Sequence, residues 1–175
     1  MIRDTPSLAG YPHETGLLCA VLQDTTVDWR GEIHRDLGPE ATTWRARPGG
    51  PSIGAIMLHM IVAELFWFEE FFLGVTMDGK DRQVLMPDEV DVYEPRWPEA
   101  PAQPLTWYFD LHDKYRARTL EAIRRWPAPD FLKDREGEPD LYSPRWVLGH
   151  VIQHEAYHGG QIVMMVDLWE NRRSQ

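Results

Sequence analysis

Apolar residues recur along this chain at three- and four-residue spacing in four stretches, and strand-like alternation is convincing in none, so the pattern predicts four helices. The first runs from about His13 to Leu37, with Leu17, Leu18, Val21, Leu22, Thr25 and Trp29 as its core-facing stripe and Gly38-Pro39 closing it. Residues 39–51 hold Pro39, Pro48, Gly49, Gly50 and Pro51 and read as a loop. Ser52 then serves as N-cap of a second helix reaching Leu73, with Gly74 just past its end. That helix is apolar almost all round, which predicts a central element packed on most sides. Residues 74–104 form a long, proline-rich connection, either a lid over a site or a crossover between helix pairs. The third helix spans about Leu105 to Arg125, marked by Leu105, Tyr108, Phe109, His112, Tyr115, Thr119 and Ile123, and is stopped by Pro127 and Pro129. A polar loop from Asp130 to Tyr142 leads to Ser143-Pro144, a strong start signal for a fourth helix that fades at Asn171.

Two glycines inside that fourth helix, Gly159 and Gly160, each cost on the order of 1 kcal/mol relative to alanine. Because Gln161 to Trp169 resumes the apolar period, the helix is expected to continue through them, and a neighbouring backbone or ligand to come close there. Four such helices joined by loops predict an all-α, four-helix-bundle domain over residues 1–175, with the long loop between helices two and three.

The bulk numbers narrow the setting. A chain of 175 residues with 43% hydrophobic and 26% charged residues is globular and long enough for one domain with a real core. A lone cysteine, Cys19, excludes an internal disulfide and any multi-cysteine metal site and fits a reducing cytosol, so a cytoplasmic protein is expected. The N-terminus meets Pro6 and Pro12 early and lacks the apolar core of a signal peptide. Ile53 to Leu73 has the length of a membrane span, but His59, Glu64, Glu69 and Glu70 make it a buried helix of a soluble protein instead. The net charge of −10, with no basic run, argues against nucleic acid and anionic membrane surfaces as partners.

Histidine placement carries the chemistry. His150, His154 and His158 stand at i, i+4 and i+8 on the fourth helix. Each four-residue step drifts by about 40°, so the three project from one face, neighbours about 6 Å apart along the axis. Two imidazoles so spaced can chelate one divalent ion. Further ligands must come from another helix. His59, midway along the apolar second helix, is the outstanding candidate, since a buried imidazole without a partner costs a few kcal/mol. His112 on the third helix is the weaker alternative, while His13 and His34 look peripheral. Three neutral histidines would make an open, zinc-type site with room for water or substrate.

The run from His154 to His158 also spells HExxH, the zinc-protease signature. The extended form of that motif requires glycine and histidine where Gln161 and Met164 stand, and Glu170 lies too close to act as the downstream glutamate ligand. No sheet is predicted to hold a peptide, so the protease reading is set aside. Glu155 remains a candidate proton shuttle, or simply a residue facing solvent.

The segments HMIVAELFW in the second helix and WVLGHVIQHEAYHGGQI in the fourth, with the lead-in PGGPSIGAIMLH, resemble the signature segments of the DinB/YfiT-like superfamily. The likeness follows the whole chain in length and helix order. It implies an up-down-down-up bundle, commonly dimeric, and metal ligands at His59, His154 and His158, with His150 one turn before the pair in a pocket or supporting role. It also implies zinc, nickel or another divalent ion as cofactor. Characterised members include thiol S-transferases that use bacillithiol, mycothiol or glutathione, and a maleylpyruvate isomerase. The expectation is therefore a metal-dependent enzyme joining a low-molecular-weight thiol to an electrophile, the metal lowering the pKa of the thiol. The alternatives are a metal-binding stress protein without turnover and a metal-dependent hydrolase.

Overall fold

The computed structural model describes residues 4–34, 36–87 and 96–172. The chain is mainly helical: α1 (His13–Gly31), α2 (Pro39–Thr43), α3 (Ile53–Leu65), α4 (Gly79–Leu85), α5 (Leu105–Ile123) and α6 (Pro144–Asn171). A two-stranded antiparallel ribbon, β1 (Lys133–Asp134) with β2 (Leu141–Tyr142), lies in the loop before α6. Helix α1 packs on α6, and α3 packs on both α5 and α6. No helix of the described residues is long and apolar enough to cross a membrane.

Local chemistry starts the two site-bearing helices where the sequence places them. The Ser52 hydroxyl accepts from the Ala55 amide at 3.2 Å, and the Ser143 hydroxyl accepts from the Trp146 amide at 3.1 Å, with Pro144 in the first turn. Past Leu65 the second predicted helix widens into a π-helical turn, Phe66–Phe71, before Gly74 ends it at φ +67°. The wide turn sends Trp67, Phe68 and Phe71 into the core while Glu69 meets the Arg118 guanidinium through two contacts of 2.7 and 2.5 Å.

Several expectations are corrected by packing. Helix α1 ends at Gly31, not Leu37; Leu37 is buried beyond it, and its carbonyl accepts from the Leu105 amide at 2.9 Å, closing the start of α5. Its core face is Thr15, Cys19, Leu22, Thr26 and Trp29, whereas Leu17 is 38% exposed and Leu18, Val21 and Thr25 are half-buried. Trp29 on that face packs against Gly159 of α6. The expected loops also hold short helices. Helix α2 lies within 39–51, and α4 within 74–104, started by the Asp78 carboxylate accepting from the Lys80 and Asp81 amides at 2.8 Å.

Helix α6 runs unbroken through Gly159 and Gly160, as the resumed period predicts, and the two glycines differ in role. A Cβ at position 159 would fall 2.5 Å from Cδ1 of the Trp29 indole, whereas at position 160 it would meet nothing within 4 Å. Gly159→Ala is therefore expected to destabilise by about 1–3 kcal/mol through overpacking. Gly160→Ala should gain about 0.5–1 kcal/mol, the ordinary advantage of alanine in a helix. Urea midpoints of the two variants check this, and equal effects would mean that Trp29 yields to the extra methyl.

The interior is divided. One apolar cluster gathers Trp29, Ile61, Leu65, Tyr108, Tyr115 and Ile162, and a second gathers Leu22, Phe68, Leu120, Ile123, Val147 and Val151. On α1, α5 and α6 buried polar side chains fall between the two clusters in sequence, among them Thr26, Arg116, Thr119 and Glu155. Glu64 joins them from α3 beside Leu65, so a charged layer crosses the core at mid-helix.

Candidate metal centre

Three histidines converge on one side of that layer. His59 is contributed by α3, His154 and His158 by α6, and one ring nitrogen of each lies within 4.8 Å of the others. Ring centroids are 4.9 Å apart for His59–His154, 4.9 Å for His59–His158 and 4.3 Å for His154–His158. The Nε2 atoms of His154 and His59 face each other at 3.0 Å. Nitrogens held by a common ion at about 2.1 Å sit about 3.0–3.4 Å apart, a spacing that the His154–His59 pair already has, with the His158 nitrogen within 4.8 Å of both. His158 carries a partner of its own: its Nδ1–H donates to Gln161 Oε1 at 2.7 Å, which fixes the tautomer and leaves Nε2 with a free lone pair.

All three imidazoles are held neutral, the form a metal requires. Burial, then the neighbouring His158, pushes His59 down to about 4. Burial, then His158, His59 and His150, pushes His154 down to about 2. Burial also lowers His158, against the upward pull of Gln161 and Glu155. Aromatic rings surround the cluster. Trp97 meets His59 edge-on at 5.5 Å and Tyr157 meets His158 at 5.1 Å.

The other histidines fall elsewhere. His150 stacks on Trp146 at 4.9 Å with an interplanar angle of 7°, and its ring centre is 6.3 Å from that of His154, so it stands beside the cluster. His13 and His34 are exposed. His112, the alternative third ligand, is fully buried in the charged layer instead. Its Nδ1 meets the Arg30 guanidinium at 2.7 Å, and its Nε2 faces both Arg116 at 3.3 Å and a Glu155 carboxylate oxygen at 3.6 Å.

Glu155 also faces that layer and not solvent. Its carboxylate accepts from Thr26 Oγ1 at 2.7 Å, from the Trp29 indole N–H at 2.8 Å and from Arg116 at 3.2 Å. Sequence reasoning left this side chain as a candidate proton shuttle or a residue facing solvent; here its oxygens are engaged by α1 and α5. Glu64, His112 and Glu155 form a second buried group of metal-ligand types, but the Arg116 guanidinium already bonds Glu64 and Glu155 and supplies the positive charge. Sequence reasoning missed Arg116 altogether. The only signal was its i+4 spacing from His112, with Thr119 one further turn along the predicted core face. The lone Cys19 thiol is fully buried, and burial pushes it up to about 12, so it supplies no thiolate.

His112 gives the fold a pH dependence. Burial, reinforced by Arg116 and Arg30 and opposed by Glu155, pushes it down to about 3 from 6.5. Below pH 6.5 the unfolded chain takes up a proton that the native state refuses, so stability falls as pH falls. Each pH unit costs about 1.4 kcal/mol for this one group. Metal-free protein is expected to be at least about 2 kcal/mol less stable at pH 5 than at pH 7.5, read from urea unfolding. Equal midpoints at the two pH values would rule out a buried neutral His112.

The profile of the DinB superfamily matches residues 32–162, a span that contains all three clustered histidines. No curated protein and no solved structure matches the chain.

Proposed function

The chain belongs to the DinB superfamily, and from that premise we propose that it is a divalent-metal-dependent thiol S-transferase whose metal is held by His59, His154 and His158. The observation that carries this reading is the convergence of three neutral imidazoles without any carboxylate among them. A three-nitrogen donor set leaves coordination positions free for an exogenous ligand. Zinc or nickel is the ion this reading favours, since imidazole suits both. The same reading takes the long helices α1, α3, α5 and α6 as an up-down-down-up four-helix bundle, and the protein as a cytoplasmic homodimer.

When bound, the ion supplies Lewis acidity that lowers the pKa of a thiol brought to it. In the transfer itself the thiol releases its proton to solvent, sulfur forms a bond to the electrophilic carbon, and the leaving group departs with the bonding electron pair. With an epoxide, the C–O bond breaks and the oxygen takes up a proton. The chain's own residues do the rest. Gln161 keeps the His158 proton on Nδ1, so that Nε2 stays available. Glu155 ties α6 to α1 and α5 between the two histidines it separates, holding their register. The indole of Trp97 and the ring of Tyr157 border the histidines.

The test is conjugation of chlorinated or epoxide electrophiles with glutathione, bacillithiol or mycothiol, with zinc or nickel added. Turnover is expected to require the metal and to vanish in His154→Ala. Absence of product with every combination, from protein that binds metal, would overturn the enzymatic reading in favour of a metal-binding protein without turnover.

A further inference from the structure

A cleft of about 330 Å³ lies beside the histidine cluster, lined by Ile56, Gln161, Met164, Met165, Leu168 and Arg47. Its two walls are continuations of the helices that carry the histidines. Ile56 stands one turn before His59 on α3, and Gln161 one turn after His158 on α6. One helical turn rises about 5.4 Å, so the cleft begins a few bond lengths from the cluster. Gln161 belongs to both places, bonding His158 and lining the cleft.

The lining is apolar except at Gln161, which is committed to His158, and at one cation. Met164 and Leu168 are 56% and 38% exposed, so this is an open, uncovered surface in the chain. The cation is Arg47, which is exposed and, among the described residues, has no carboxylate partner. Arg45, two residues earlier, is in contrast fully engaged with Gly50, with the Trp97 and Pro98 carbonyls at 3.2 and 2.9 Å, and with Glu99 at 3.2 Å. The Arg47 side chain is laid across Gly50: a Cβ there would meet its Cγ at 2.9 Å and its Nε at 3.5 Å. The absence of a side chain at Gly50 therefore lets the Arg47 stem lie along the cleft wall, with its guanidinium uncommitted.

An open, mostly apolar cleft beside a metal-ligand cluster, with an unpaired guanidinium in its wall, selects a particular ligand. We infer that this cleft binds the carboxylated end of the thiol substrate, Arg47 pairing with the carboxylate and Met164, Met165 and Leu168 covering the carbon skeleton. The inference rests on the thiol reading for the identity of the reacting end, and on Arg47 and the cleft alone for the anionic end. Guanidinium–carboxylate pairs are the strong, geometrically selective kind of hydrogen bond, and methionine adapts to varied carbon skeletons.

The experiment titrates zinc-loaded protein, carrying carbon-13 methionine methyls, with 2-mercaptosuccinate, 2-mercaptoethanol and plain succinate, by calorimetry and methyl NMR. Mercaptosuccinate is expected to bind about tenfold more tightly than mercaptoethanol and to shift the Met164 and Met165 methyls, which mercaptoethanol leaves in place. Succinate should shift the same methyls at higher concentration. Arg47→Gln should bring the two thiols to within about twofold, with mercaptoethanol affinity unchanged, and abolish the succinate shifts. Met164→Trp, which fills an exposed cleft and leaves the histidines untouched, should act likewise while zinc affinity stays as in the wild type. Unmoved methyls, or a thiol preference that survives Arg47→Gln, would overturn the inference. If neither thiol binds better to zinc-loaded than to metal-free protein, the thiol reading falls, and the succinate shifts still decide the cleft.

Discussion

Replacing His154 with alanine is expected to lower zinc or nickel affinity by about three orders of magnitude. His154 supplies one of the three nitrogens that converge among the described residues, and its Nε2 faces that of His59 at 3.0 Å, so its loss breaks both pairs it forms within the cluster. A bidentate remainder of His59 and His158 has no chelating i, i+4 partner on α6. His59→Ala should cost a similar amount, because it removes the only ligand contributed by α3. His112→Gln is the matched control: it alters a buried histidine of the same protein that bonds Arg30 instead of joining the cluster, and metal affinity should move by no more than a few fold. His150→Ala should fall in the same small range. The measurement is competition against a chromophoric chelator at fixed pH and ionic strength. Wild-type protein that binds divalent ions no better than the His59→Ala/His154→Ala double variant would remove the foundation of the proposed function.

The second large effect concerns stability. Arg116→Met is expected to destabilise by about 3–5 kcal/mol, a large part of the roughly 5–15 kcal/mol that holds a domain of this kind together. Arg116 is 6% exposed and reaches Glu64, Glu155 and the Thr26 hydroxyl, while Glu64 also accepts from Thr119 at 3.1 Å. Burial pushes the Glu64 carboxyl above its ordinary range, and the Arg116 charge is what opposes that rise. Without the guanidinium, two carboxylates stay between apolar clusters with no cation of equal reach. Either they ionise unpaired or they take up protons at neutral pH; both routes lower the free energy of folding. The combined variant Arg116→Met/Glu64→Gln/Glu155→Gln removes the charges with the cation and should recover much of the loss. Urea midpoints of the single and triple variants decide the matter. A single variant as stable as wild type would show that water reaches the layer and solvates the carboxylates.

What was legible in the residues and what was not divides along the range of the interactions involved. The starts at Ser52 and Ser143-Pro144 were readable because a cap is a contract between residues three apart. So was the shared face of His154 and His158, which follows from helical geometry alone, and the continuation of α6 through its two glycines, which follows from the resumed apolar period. The shifted core face of α1 was not readable, because it depends on how α6 packs on it, with Gly159 against Trp29. The direction of Glu155 was hidden for the same reason: its neighbours in sequence are His154 and Ala156, but its partners are Thr26, Trp29 and Arg116.

From the sequence alone come the helical class, the membership signalled by its motif segments, and the short roster of histidines able to ligate a metal. Tertiary structure decided which of them meet. His59 and His112 are both buried-face histidines of apolar periods, and no local rule separates them. Only the relative register of α3, α5 and α6 brings His59 to the pair on α6 and sends His112 to Arg30 and Glu155. The same register places Arg47 and Gln161 on one cleft although more than a hundred residues part them in the chain. Backbone hydrogen bonds and caps act over a few residues and can be read in order. Side-chain encounters between helices are settled by close packing of the whole interior, and that is where this protein's chemistry is assembled.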